Sequence, residues 1–123
     1  VIIRYQGESV GCPEMLTPTS ALIGYFGNNP PPLATDGRFS GGSRGILICH
    51  LPDAHKDNSI TSIIENDDSI TLDTLKNIIN LNLCYSDIES RYKLLIKNDR
   101  IPIPNYVNKY SKLVGNINEG YST

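Results

Sequence analysis

The alternation of apolar and polar positions predicts short strands and amphipathic helices separated by long loops. Val1 to Tyr5 is β-branched and strand-like, and it runs straight into a Gly-rich loop, Gly7 to Pro13. Thr17 followed by Pro18 reads as a helix N-cap and first turn. Ala21, Leu22, Tyr25 and Phe26 then share one helical face, and Gly27 ends the helix. The prolines within Asn28 to Pro32 break regular structure, because proline lacks a backbone donor and constrains its predecessor. Leu33 to Thr35 leaves room only for a short strand. Beyond the loop Asp36 to Gly45, the continuous apolar run from Gly45 to His50 predicts a buried strand.

The second half changes period. Ile70 and Leu72, then Ile79, Leu81 and Leu83 with Asn80 and Asn82 between them, repeat every two residues and predict a β-hairpin turning through Asp73 to Asn77. Ser86 and Glu89 have capping-box spacing; Ile88, Tyr92, Leu95 and Ile96 line one face of the helix that follows, with Lys93 and Lys97 towards its end. Pro102 and Pro104 interrupt, and Tyr106, Val107, Tyr110 and Val114 predict a last short helix before a frayed tail. Strands and helices mixed in this way, with loops at strand ends, predict an α/β or mixed α+β sheet domain.

Composition narrows the function classes. A length of 123 residues suits one compact domain and excludes a second full one. The net charge of −2, with both signs scattered, offers no nucleic-acid or membrane surface. Apolar stretches such as Ile46 to Cys49 fall far short of the roughly 20 residues of a membrane helix. Cys12, Cys49 and Cys84 are odd in number and form no CxxC pair, which speaks against a disulfide scaffold and for a reducing compartment. The chain starts at Val1 and its one methionine is Met15, so it is expected to be a cut or incomplete piece, and no signal-peptide pattern precedes the opening strand. The second half is rich in Asn, Ile, Lys and Asp without repeating.

The densest chemistry lies in Thr35 to Gly45, where glycines let the backbone approach a ligand while hydroxyls and guanidinium groups converge. This suits an anion cradle, though neither the Walker nor the dinucleotide spacing is present. The plainer alternative is a tight turn whose serines and arginines satisfy the backbone. Ser40 could act as a base only if a nearby cation lowered its pKa. Glu14, between a loop and a helix, is placed to hold a hard cation such as Mg²⁺, although a single Glu is more commonly a surface residue. His50, at a strand end, is a second-tier candidate, although a lone strand-end histidine is more often a hydrogen-bonded structural group. His55, in a polar stretch, is expected to be solvated.

Three ordered matches then connect these residues: Ile3-Arg4-Tyr5-Gln6-Gly7, Pro13-Glu14-Met15-Leu16-Thr17-Pro18-Thr19-Ser20-Ala21, and Thr35 to Gly45. Together with weaker matches at Cys49-His50-Leu51, in the hairpin, and at Lys109 to Val114, they make the chain resemble the dihydroxy-acid dehydratase family, within the wider dihydroxy-acid/6-phosphogluconate dehydratase group. The resemblance implies that residues 1–123 form a single incomplete C-terminal domain, part of a swivelling β/β/α domain with a barrel-like sheet and flanking helices. The N-terminal iron–sulfur and Mg²⁺-binding domain would be absent from this sequence.

By resemblance, Glu14 would be a Mg²⁺ ligand and Ser40 the base, with Arg38, Gly41, Gly42 and Ser43 binding substrate. The iron–sulfur cluster would have its ligands outside this chain. The substrate would be a small 2,3-dihydroxy acid and the full enzyme a homodimer, placed in the cytoplasm or, in a eukaryote, in the mitochondrial or plastid matrix. Departures from the family pattern sit in a shortened Gly7 to Pro13 loop, in a shortened stretch before Lys109, and in Pro30 to Ala34, which replaces an aliphatic central strand. Prolines there are expected to remove ladder hydrogen bonds and disturb Ser40. The rival to an enzyme portion is a non-catalytic remnant serving as a structural or binding subunit of a larger assembly.

Overall fold

The computed structural model describes residues 1–97 and 105–122. They form two compact units: Val1–Ser62 with residues 105–122, and residues 63–97. The class is mixed α+β, as the sequence predicts. Among the described residues the strands make one parallel and one antiparallel sheet and close no barrel. No helix among them is long and apolar enough to cross a membrane.

In the first unit, β1 (Ile2–Ile3), β2 (Leu33–Thr35) and β3 (Leu47–Ile48) form a parallel sheet with β2 central. Ile2 and Ile3 register with Ala34 and Thr35, and Leu33 and Ala34 with Leu47 and Ile48. β2 is buried throughout because it is covered on both edges. The prolines do not remove this ladder. They stop at Pro32, and the Leu33 and Ala34 amides donate to Ile46 and Val1 at 3.0 Å each. The apolar run around β3 yields only two strand residues, and they are half-buried; Ile46 is 47% exposed. As an edge strand it has a neighbour on one side only, so the expected buried strand is corrected to a short, partly covered one.

The helix α1 (Leu16–Phe26) begins earlier than Thr17 predicts. Met15 takes the N-cap position, and the Thr19 hydroxyl reaches back to the Met15 carbonyl. The expected apolar face is also corrected: Tyr25 is 84% and Phe26 47% exposed, packed edge-on against each other, while Thr19 is the one buried helix residue. The core of the unit is instead Cys12, Met15, Leu33, Ala34, Ala54 and Val114, with the fully buried Thr35, Asp36 and Asp53 among them. The expected last helix is α3 (Asn105–Ser111); it packs against the 3-10 turn Glu8–Val10. Lys56 Nζ ties that turn to the chain end through Glu8 Oε1 at 2.7 Å and Asn116 Oδ1 at 2.6 Å.

The second unit contains the predicted hairpin, β4 (Ile70–Asp73) and β5 (Ile78–Leu81), with Ile70 opposite Leu81 and Asp73 opposite Ile78. Asp73 Oδ1 accepts from the Leu75 and Lys76 amides and so closes the turn. The helix α2 (Tyr85–Lys97) starts one residue before Ser86, so Ser86 lies inside the first turn. Its hydroxyl pairs with Cys84 Sγ at 2.9 Å where the capping box was expected. Ile88, Tyr92 and Leu95 form its half-buried face. Arg91 holds Asp68 through two hydrogen bonds at 2.6 and 2.8 Å. Pro102 and Pro104 and the Ile96 and Lys97 side chains lie outside the described residues.

Candidate functional site

The site grows from the C-terminal end of β2. Asp36 follows directly and is buried, its carboxylate accepting from the Tyr5 and Gln6 amides at 2.9 Å and from Ala54 at 3.0 Å. Burial pushes its pKa above the ordinary carboxylate value, and the bonds from Ala54 and Gln6 only partly offset this. Gly37 comes next, where a Cβ would lie 2.9 Å from the Pro13 carbonyl oxygen and 3.2 Å from Gln6. The missing side chain lets residues 13–15 run beside 37–38.

That approach forms an isolated parallel bridge between Glu14 and Arg38, closed by Arg38 N donating to Pro13 O at 3.2 Å and Met15 N to Arg38 O at 2.8 Å. The two strongest sequence motifs are thus joined through the backbone. Glu14 lies across from Arg38, and Ser40 is two residues further on. Glu14 and Ser40 are both exposed, and neither side chain has a hydrogen bond or ion pair among the described residues.

The other expected site residues divide. Arg38 spends its Nε–H on the Cys12 carbonyl at 2.9 Å, which fixes the start of the guanidinium while leaving its terminal nitrogens. Gly41 and Gly42 turn the chain between Ser40 and Ser43, with Ser43 N donating to Ser40 O at 3.2 Å; a Cβ at either glycine would enter open space. The Ser43 hydroxyl is buried and has no partner among the described residues. His50 donates its amide to Gly37 O at 3.0 Å and so sits behind the same loop. Its ring Nδ1 faces Tyr121 Oη at 3.3 Å and Cys12 Sγ at 3.7 Å.

His55 is corrected: its side chain is 6% exposed, packed edge-on against Tyr5 at 5.1 Å, with Nδ1 3.3 Å from Asp53 Oδ1. Asp53 is buried too, and accepts from the Ser9 amide at 2.7 Å and the His55 amide at 2.8 Å. Burial alone would raise its pKa, but hydrogen bonds from Ser9 and His55 hold it below the usual carboxylate value. The polar stretch was misjudged because local composition cannot show that two loops converge on one acid.

The sequence also gave no role to Asp36 or Tyr121. For Asp36 a signal existed: an Asp between a strand and a glycine is a ready acceptor for backbone amides. For Tyr121 there was none, since it meets Cys12 across 109 positions. Of the free cysteines, Cys12 is buried, and burial raises its pKa; Cys49 and Cys84 are exposed.

Comparison with known proteins agrees with these motifs. The family model for the dihydroxy-acid/6-phosphogluconate dehydratase C-terminal region matches residues 1–121. A dihydroxy-acid dehydratase from Methanococcus vannielii is 40% identical over 98% of this chain, and one from Methanococcus aeolicus 42% identical over 98%. One from Francisella tularensis is 34% identical over the whole chain. In each case the chain spans 22% of the relative's length.

Proposed function

The chain belongs to the dihydroxy-acid/6-phosphogluconate dehydratase family, whose C-terminal part it matches, and from that premise we propose that it is the C-terminal portion of a dihydroxy-acid dehydratase, a hydro-lyase. The substrates in this reading are 2,3-dihydroxy-3-methylbutanoate and its methylpentanoate homologue, converted to 2-oxo acids in valine and isoleucine biosynthesis. The observation that carries it is the Glu14–Arg38 backbone bridge, which sets Glu14 beside the loop that bears Ser40, both side chains without a partner among the described residues. Both belong to the motifs that match the family.

Glu14 fits Mg²⁺, a hard cation that takes carboxylate oxygen. One carboxylate is not a complete site, and no group of three His, Cys, Asp or Glu residues that could hold a metal occurs among the described residues. The other ligands would come from the remainder of the enzyme. An iron–sulfur cluster needs several thiolates. The three cysteines here, one buried and two exposed and in no metal-holding group among the described residues, do not fit one. Bound at Glu14, Mg²⁺ would supply Lewis acidity towards the substrate's carboxylate and C2 hydroxyl and make the Ser40 hydroxyl more acidic.

The chain's own residues then have separable tasks. Ser40 Oγ, as alkoxide, takes the proton from C2; the C3 hydroxyl departs as water with that proton, which restores the alkoxide, and the enol tautomerises to the 2-oxo acid. The terminal nitrogens of Arg38 bind the substrate's carboxylate, and the Ser43 hydroxyl gains the partner it lacks. Gly41 and Gly42 keep open the space a side chain would fill. The N-terminal dehydratase domain is the partner this requires, within a homodimer in the cytoplasm or an organelle matrix. The intact ladder on both edges of β2 supports this reading over a non-catalytic remnant.

The test is Ser40→Ala in the complete enzyme, assayed for conversion of 2,3-dihydroxy-3-methylbutanoate. Turnover is expected to vanish while circular dichroism and cluster absorbance are unchanged. Retained turnover rejects Ser40 as the base.

A further inference from the structure

Outside the tasks assigned above lies a cluster of three side chains from distant parts of the first unit: Cys12, His50 and Tyr121. Tyr121 Oη is 3.5 Å from Cys12 Sγ and 3.3 Å from His50 Nδ1, and Cys12 Sγ is 3.9 Å from the Asp36 carbonyl oxygen. Both His50, at φ 58°, and Cys12, at φ 50°, hold left-handed backbone conformations that side-chain-bearing residues seldom adopt. Such conformations persist where the surroundings fix them.

Counting hydrogens gives the cluster a direction. A carbonyl oxygen only accepts, so the contact with Asp36 O requires the Cys12 S–H. The Cys12 sulfur can then accept, and Tyr121 donates its single hydrogen there. What Tyr121 offers His50 is an oxygen lone pair, which calls for a hydrogen on Nδ1. Cys12 Sγ also lies 3.7 Å from Nδ1, so the cluster has four close pairs. With a hydrogen on Nδ1, three hydrogens satisfy three of them, whereas the opposite tautomer leaves two hydrogens and satisfies two.

We infer that Tyr121 and Cys12 are positioning residues that keep the imidazole hydrogen of His50 on Nδ1, so that Nε2 presents a lone pair to accept a substrate hydroxyl beside the Ser40 loop. His50 is exposed, and its amide bond to Gly37 O anchors it to the segment leading to Ser40. The assignment of a substrate hydroxyl as the donor rests on the dehydratase reading; the tautomer does not.

Two measurements separate them. Long-range 1H–15N spectra of the 15N-labelled chain, taken above the imidazole titration, are expected to show a protonated Nδ1 and an unprotonated Nε2 for His50. In the double variant Tyr121→Phe/Cys12→Ala, with the amide spectrum confirming the fold, the hydrogen is expected to move towards Nε2. A native chain with its hydrogen on Nε2, or a double-variant chain with an unmoved tautomer, overturns the inference.

In the complete enzyme, the same double variant is expected to raise KM for the dihydroxy acid roughly tenfold, the worth of one hydrogen bond, with kcat nearly unchanged. An unmoved KM with a moved tautomer overturns the substrate contact. Complete absence of dehydratase activity in the native enzyme defeats the proposed function, and the spectra still decide the tautomer.

Discussion

Replacing Gly37 with alanine tests how the fold delivers the site. The new Cβ would lie 2.9 Å from the Pro13 carbonyl oxygen, and ordinary contact begins near 3.4 Å, so one backbone segment must yield by about half an ångström. The way out on the other side is narrow, because Gln6 stands at 3.2 Å. Overpacking of this kind costs about 1–3 kcal/mol. The segment that yields also carries the bonds Arg38 N to Pro13 O and Met15 N to Arg38 O, each worth about 1 kcal/mol. With about one bond's worth lost on top of the overpacking, a loss of roughly 2–4 kcal/mol is expected, read by urea unfolding of the chain as a lower midpoint at constant slope. In the complete enzyme the same change moves Glu14 away from the Ser40 loop, so activity should fall even at temperatures where the protein stays folded. Gly41→Ala is the control: its Cβ meets nothing, so stability should hold within about 0.5 kcal/mol. If Gly37→Ala matches Gly41→Ala in stability, close backbone approach does not build the site.

Gly7→Ala should destabilise more than Gly37→Ala, because its Cβ would fall 2.4 Å from Asp53 Cγ, inside a buried carboxylate already bonded to two amides; equal midpoints would contradict this. Asp53→Asn should cost about 1–3 kcal/mol at neutral pH by weakening the acceptor for Ser9 and His55. Since the folded pKa of Asp53 is depressed, its contribution is full above the unfolded value of about 4 and is lost as pH falls through the folded value. The stability gap between native and Asp53→Asn chains should accordingly narrow below about pH 4, and a gap that widens there would reject the assignment. In the second unit, Arg91→Lys loses the paired hydrogen bonds to Asp68, so limited proteolysis should cut residues 63–97 faster than in the native chain.

The elements were legible where local chemistry decides them. The two-residue period at Ile70, Leu72, Ile79 and Leu81 became a hairpin because register follows from alternation alone, and the short strand at Leu33 to Thr35 became the sheet's centre. Errors fell where neighbours distant in sequence decide burial. Tyr25 and Phe26 share a helical face yet stay exposed, edge-on against each other, while His55, amid polar residues, is enclosed by Tyr5 and Asp53. The site shows the same division. Glu14 and Ser40 were singled out by their motifs and the family resemblance; what brings their segments together was not legible, because a glycine's missing Cβ has meaning only once Pro13 lies opposite it. Asp36 carries this furthest. In the sequence it is one polar residue of a loop, but in the fold it gathers the amides of Tyr5, Gln6 and Ala54 at the mouth of β2, and it can do so only by giving up water. A buried acid at that position favours precise placement of the neighbouring loop over electrostatic ease, and the residues it places are those on which the proposed chemistry depends.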